Sequence, residues 1–346
     1  MKSSSSTNPR NWSKKVWLGI AAAVIIIAII VGAVVGVRES ERRANAYPDY
    51  SKLNYSLLDT YAGTGFFDNF DYFTGYDPSS GFVHYVDAQG SQILNLTYAT
   101  SSTAILRVDT TDTNATTGRK SVRITSKKLY SKGLFVFDIV NTPYGCSTWP
   151  ALWLTDPSNW PTHGEIDVVE AVNGATTGNQ MTLHTTKGCE MDRKRKETGK
   201  VLTKDCYNGT DSNAGCGVQG SQDTYGQALN ANGGGVYAME WRSEGIRMWF
   251  FPRSNIPSDI TEGASPDPST WGTALADFPS TDCNIGSHFQ NQSIIANIDL
   301  CGSWAGSSAV YSTGCPGLCT DFVANNATAF ETAFWQWNSW KVYLPV

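Results

Sequence analysis

The stretch Gly164-Glu165-Ile166-Asp167-Val168-Val169-Glu170 sets three carboxylates into an otherwise apolar run. In a regular strand alternate residues share a face, so Glu165 and Asp167 project together while Glu170 faces away. One extra residue, a β-bulge at Val168-Val169, returns Glu170 to the face of the other two. The spacing E-x-D-x-x-E therefore predicts a bulged strand with three acids lining one concave surface. Like charges so close are costly unless one carboxyl holds a proton. That condition suits glycoside hydrolysis with retention, where an ionised carboxylate and a protonated carboxyl sit roughly 5–5.5 Å apart.

The flanks agree. Upstream, Cys146-Ser-Thr-Trp149-Pro150-Ala-Leu-Trp153-Leu-Thr-Asp156-Pro-Ser-Asn159-Trp160-Pro161 brings three tryptophans close to the acids. Trp rings are good platforms for the flat apolar faces of sugars, although they also fill cores. Downstream, Gln180-Met181-Thr182-Leu183-His184-Thr185 carries a lone His on a strand expected to pair near the acidic one.

Further out, the apolar period is two. Ser121–Thr125, Phe135–Val140, Gly235–Trp241, Gly245–Phe251 and Ser293–Ile298 read as strands. Asn173-Gly174, Asn208-Gly209 and Asn232-Gly233-Gly234-Gly235 read as turns between them. Pro252 to Pro279 is loop-like, and Asp321 to Ala333 is a candidate helix with Asp321 as N-cap. The fold class is all-β, an antiparallel sandwich or barrel.

Eight cysteines (Cys146, Cys189, Cys206, Cys216, Cys283, Cys301, Cys315, Cys319) and six N-x-S/T sequons (Asn54, Asn95, Asn114, Asn208, Asn291, Asn326) follow residue 43. That pattern reads as disulfides in an oxidising compartment, with the pairing open. No cysteine spacing suits zinc. Val16–Val37 is an uninterrupted apolar run of 22 residues. It exceeds a signal peptide's apolar region and is long enough to span a bilayer. The chain thus divides into a cytosolic tail (1–15), a transmembrane signal-anchor (16–37), a linker (38–48) and one body (49–346). It is expected to be a single-pass type II membrane protein with the body lumenal or extracellular. Arg42-Arg43 is a dibasic pair at which cleavage would release the body.

The 346 residues carry a net charge of −5, of which residues 1–43 contribute +5 and the rest −10. An acidic body argues against nucleic acid, and 12% aromatic residues favour a neutral ligand such as a glycan. No nucleotide, flavin or haem motif is evident, and two-carboxylate chemistry needs neither cofactor nor metal. The body is expected to be a monomer.

These motifs resemble glycoside hydrolase family 16, with the fungal endo-1,3(4)-β-glucanases, or laminarinases, as the nearest group. Trp149-Pro150-Ala-Leu-Trp153-Leu, Trp160-Pro161, the acidic strand and Leu183-His184-Thr185 carry the resemblance. Phe66-Phe67-Asp68-Asn69-Phe70, Val236–Trp241, Trp249–Arg253, Ser287-His288-Phe289 and Cys301–Gly306 extend it over most of the body. The resemblance implies a β-jelly-roll sandwich with an open substrate cleft, preceded here by one transmembrane helix, and acting with retention on β-glucan. It makes Glu165 the nucleophile, Asp167 its assisting acid and Glu170 the general acid/base. Trp153 and Trp160 match sugar-stacking positions, and Trp149, Asn173, His184 and Trp304 match further substrate-binding positions. The resemblance also admits a structural calcium, though no Asp-rich loop demands one. Two alternatives share this sequence evidence. One is a wall-assembly transglycosylase with the same site, which the anchor favours. The other is a non-catalytic glucan-binding module, which the intact acids disfavour.

Overall fold

The computed structural model describes residues 12–174, 176–261 and 265–346. Residues 1–11 of the expected cytosolic tail lie outside it. The chain divides into two units, 1–46 and 47–346.

Among the described residues the first unit holds one helix, Lys14–Ala44. Its apolar positions, such as Ile25, Ile29 and Val35, are exposed. At about 1.5 Å per residue the 22-residue apolar run spans roughly 33 Å, close to a bilayer's hydrocarbon thickness. This helix is long and apolar enough to cross a membrane. It continues beyond Val37 through Arg38, Glu39 and Glu41.

The second unit is a jelly-roll sandwich of two large antiparallel sheets. One runs, edge to edge, Lys200–Val201, Cys216–Gln219, Gln180–His184, Glu165–Glu170, Thr148–Thr155, Gln292–Leu300, Arg123–Tyr130 and Phe70–Tyr72. The other runs Ala276–Pro279, Gly245–Pro252, Gly235–Arg242, Gly133–Asn141, Phe334–Pro345, Ala104–Arg107 and Thr97–Ala99, with Tyr55–Ala62 also paired to Phe334–Pro345. The core lies between them. Leu152, Leu154, Ile166, Leu183, Ile294 and Ile298 of the first sheet face Phe135, Phe137, Met239, Trp241, Trp335 and Trp337 of the second. Trp337 stacks on Phe66 (5.7 Å, interplanar 10°) and meets Trp340 edge-on.

Three local expectations change. The run Ser121–Thr125 breaks at Val122. Arg119–Ser121 pairs in parallel with Val83–Tyr85, and Arg123 begins the sheet strand. The helix expected over 321–333 is Cys319–Asn325 followed by a separate 3-10 turn, Ala327–Phe330. Asp321 therefore sits inside the first turn, where a carboxylate favours the helix N-terminus, and Leu318 is the cap residue. Gly235–Arg242 alternates in sequence but is buried on both faces. On its outer face Val236 and Ala238 sit beside Phe251 and Trp249 of the next strand, Trp271 meets those two rings edge-on, and Leu53 and Ile256 pack alongside.

All eight cysteines are paired: Cys146–Cys315, Cys189–Cys283, Cys206–Cys216 and Cys301–Cys319. Two of these bonds hold the segment 301–319, whose regular structure is two one-turn helices, Gly302–Ala305 and Ser308–Tyr311. Replacing both Cys301 and Cys319 by Ser should lower unfolding free energy by about 3 kcal/mol, the loop-closure entropy of a loop this size. Denaturant unfolding of the full chain measures it, and an unchanged midpoint would mean that packing alone holds the segment.

Candidate active site

The strand Glu165–Glu170 lies between Thr148–Thr155 and Gln180–His184. Its pairing is irregular where the spacing of the acids requires it. Against the His184 strand, Asp167 faces Thr182 and Glu170 faces Gln180, so three steps on one strand match two on its partner. Against the Trp153 strand the register shifts between Asp167 and Val169. Ile166, Val168 and Val169 are all fully buried, and the acids alternate to the opposite face.

Each acid has its own partners. Glu165 Oε2 accepts a hydrogen bond from Trp160 Nε1 at 2.6 Å. Glu170 Oε1 accepts one from Trp149 Nε1 at 2.7 Å. Asp167 Oδ2 lies 3.3 Å from His184 Nε2. His184 Nδ1 is 3.1 Å from Asn213 Oδ1. Glu165 is half-buried, whereas Asp167, Glu170 and His184 are buried.

Withdrawal from water, reinforced by the charge of Asp167, raises both glutamic acids above the ordinary carboxylate range, Glu170 further than Glu165. Burial alone would lower the His184 imidazolium, but the Asp167 carboxylate beside it wins and pushes it up to about 9. His184 is therefore charged at neutral pH, and Asp167 is its counter-ion. Glu165, Asp167 and His184 present ligand-type atoms within 4.8 Å of one another. With His184 protonated and paired to Asp167, this trio is an internal ion pair beside a carboxylate. Displacing that proton would be the first requirement for any metal there.

The tryptophans of residues 47–346 divide into two groups. Trp241, Trp249, Trp271, Trp335, Trp337 and Trp340 are core. Trp149, Trp153, Trp160 and Trp304 stand around the acids, with Trp160 43% exposed. Trp304 meets Trp149 edge-on, ring centroids 5.7 Å apart. Trp153 Nε1 donates to Asn297 Oδ1 at 2.8 Å. Asn173 has its carboxamide engaged by the backbone: Oδ1 accepts from Ser147 N (2.7 Å) and Nδ2 donates to Ala305 O (3.1 Å). It pins the loops beside the cleft.

Sequence reasoning missed Arg123. Its guanidinium lies between the rings of Phe73 (4.8 Å) and Trp153 (4.9 Å), a cation held by two π faces. Arg123 Nε finds no acceptor among the described residues, although it is buried. One hint existed: an Arg at an alternating position of a strand is a candidate for the polar face.

Residues 70–343 match the family description "XgeA-like, catalytic GH16 domain". A probable glycosidase of Schizosaccharomyces pombe is 50% identical over 301 residues, covering 86% of this chain and 71% of that protein. A probable endo-1,3(4)-β-glucanase of Aspergillus niger is 41% identical over 84% of this chain, but this chain spans only 40% of its length. Among solved structures, the family 16 laminarinase 16A of Phanerochaete chrysosporium, bound to β-glucans in donor and acceptor sites, is 45% identical with a TM-score of 0.82. The match covers 84% of this chain and all of that one. An elongating family 16 β-1,3-glucosyltransferase is 40% identical with a TM-score of 0.78, at the same coverage. With its bulged acidic strand, its jelly roll and these relatives, the chain belongs to glycoside hydrolase family 16.

Proposed function

We propose that the chain is a retaining endo-β-glucanase cutting internal linkages of β-1,3- or mixed β-1,3/1,4-glucan. The observation that carries this is the pair of raised glutamic acids on one face of a bulged strand, Glu170 more buried than Glu165 and each oriented by a tryptophan N–H. In this reading the more exposed Glu165 is the ionised carboxylate and the more buried Glu170 holds the proton. Glu165 attacks the anomeric carbon as Glu170 protonates the departing glycosidic oxygen, leaving a covalent glycosyl-enzyme. Glu170, now ionised, takes a proton from water, which displaces Glu165 and restores the β configuration. Asp167, paired with His184, stands between the two glutamates, and its charge raises the proton affinity of both. Trp153 and Trp160 stack sugar rings, with Trp149, Trp304, His184 and Asn173 shaping the rest of the site.

The glucosyltransferase similarity favours a second reading in which a sugar hydroxyl replaces water in the second step. The same residues serve both.

The helix Lys14–Ala44 acts as a retained signal-anchor in this reading, leaving the glucanase body as a monomer on the lumenal or extracellular side. The four disulfides and the sequons support that side. Arg42-Arg43 lies within the helical span, which favours retention over cleavage.

The test is a side-by-side product assay on laminarin, mixed-linkage glucan, β-1,6-glucan and cellulose. Short oligosaccharides should appear from the first two. Glu165→Gln and Glu170→Gln should each lose at least about 10³-fold in kcat on them. Products longer than the substrate on addition of acceptor sugar would favour the transferase. Silence on all four would contradict the glucanase.

The pH dependence follows from the same geometry. Activity needs Glu165 ionised and Glu170 protonated, so kcat/KM should be bell-shaped, with its acid limb above the ordinary carboxylate range. Trp160→Phe removes a donor that stabilises the Glu165 carboxylate. The acid limb should then move up by roughly half to one unit while the alkaline limb stays. Movement of the alkaline limb instead would reverse the two assignments.

A further inference from the structure

A β-bulge leaves ladder groups without cross-strand partners, and buried ones are costly to leave bare. Here the orphans are the Val168 carbonyl and the Glu170 N–H, on the side facing Gln180–His184. Both are taken up by one side chain. Asn179 Oδ1 accepts from Glu170 N at 2.8 Å, and Asn179 Nδ2 donates to Val168 O at 2.9 Å. Asn179 is fully buried. Its carboxamide stands where a peptide unit of the neighbouring strand would stand if the ladder were regular.

Asn179 is itself held on its other side. Its N–H donates to Thr224 Oγ1 (2.9 Å), and its carbonyl accepts from Gly220 N (2.8 Å) and Gln219 Nε2 (2.9 Å). The preceding Gly178 has φ +94°, and a Cβ there would come within 2.1 Å of the Ser221 carbonyl. Only glycine lets the chain approach the 219–224 segment closely enough to deliver Asn179 to the bulge.

We propose that Asn179 is a positioning residue for the general acid: its carboxamide fixes the backbone of the bulge and thereby aims Glu170 at the glycosidic oxygen. This rests on the reading of Glu170 given above. The chemistry requires a carboxamide, with one donor and one acceptor. An aspartate of the same shape still accepts from Glu170 N–H but turns its second oxygen against the Val168 carbonyl. Released from this clamp, the bulge lets Glu170 drift away from the leaving group, while Glu165, five residues before Glu170 on the regular part of the strand, stays in place.

The experiment compares two substrates in the full-length protein. Glucan has a poor leaving group that needs the acid. A 2,4-dinitrophenyl β-laminaribioside has a good one that does not. Asn179→Asp should lower kcat/KM on laminarin by about 10²-fold and on the aryl glycoside by less than about fivefold, because kcat/KM reports the first displacement, in which only the poor leaving group needs the acid. Glu170→Gln run in parallel should show the same selectivity, more strongly. Equal losses on both substrates, or no loss, would overturn the role of Asn179. If Asn179→Asp does not fold, Thr224→Val, which loosens the Asn179 backbone and leaves its carboxamide intact, should give the same selectivity at about tenfold; an even loss there overturns the proposal as well. A Glu170→Gln protein that lost both substrates equally would instead remove the acid assignment on which the inference stands.

Discussion

The single unmatched residue between Asp167 and Glu170 governs this molecule. Without it the third carboxylate would point into the sandwich core, where Ile166, Val168 and Val169 already fill the space. An unpaired acid there would be untenable. With it, three acids reach one face, and their crowding and burial raise the proton affinity of two of them. The surroundings then manage that crowding. His184 neutralises Asp167, Trp160 and Trp149 each donate to one glutamate, and Asn179 satisfies the broken ladder.

The rest of the body holds these partners in place. The second sheet and its aromatic layer back the strands on the side away from the cleft. The Cys146–Cys315 and Cys301–Cys319 bonds fix the segments around Trp149 and Trp304, and Asn173 ties those segments to the turn after the acidic strand. A left-handed backbone at Asn173 and Ser147 (φ +54° and +73°) marks where these loops bend sharply beside the cleft. Strained positions of this kind concentrate at functional sites.

Much of this was legible from residue order. The bulge could be read because carboxylates in an apolar strand make the period visible, and E-x-D-x-x-E breaks that period by one. The pairing of the His184 strand followed from its short, turn-bounded separation from the acids. Other features were not legible. Tryptophans of the core and of the cleft look alike in sequence, since Trp337 and Trp153 each alternate along a strand, and only the opposing sheet decides their fate. Cysteine pairing depends on loops that close over sequence separations from 10 to 169 residues. Asn179 carries no local signal because its partners are backbone atoms of another strand. The helix near 321 begins two residues before its best capping residue, at Cys319, which is bonded to Cys301.

The central claim is that two glutamic acids on one face of the bulged strand act in a double displacement. Proton NMR of the reducing-end anomer released from laminarin in the first moments of reaction tests it most directly, before mutarotation mixes the signals. The account predicts that the β anomer appears first and the α anomer grows in later. Initial release of the α anomer would mean a single displacement by water, and would contradict the assignment of Glu165 as nucleophile.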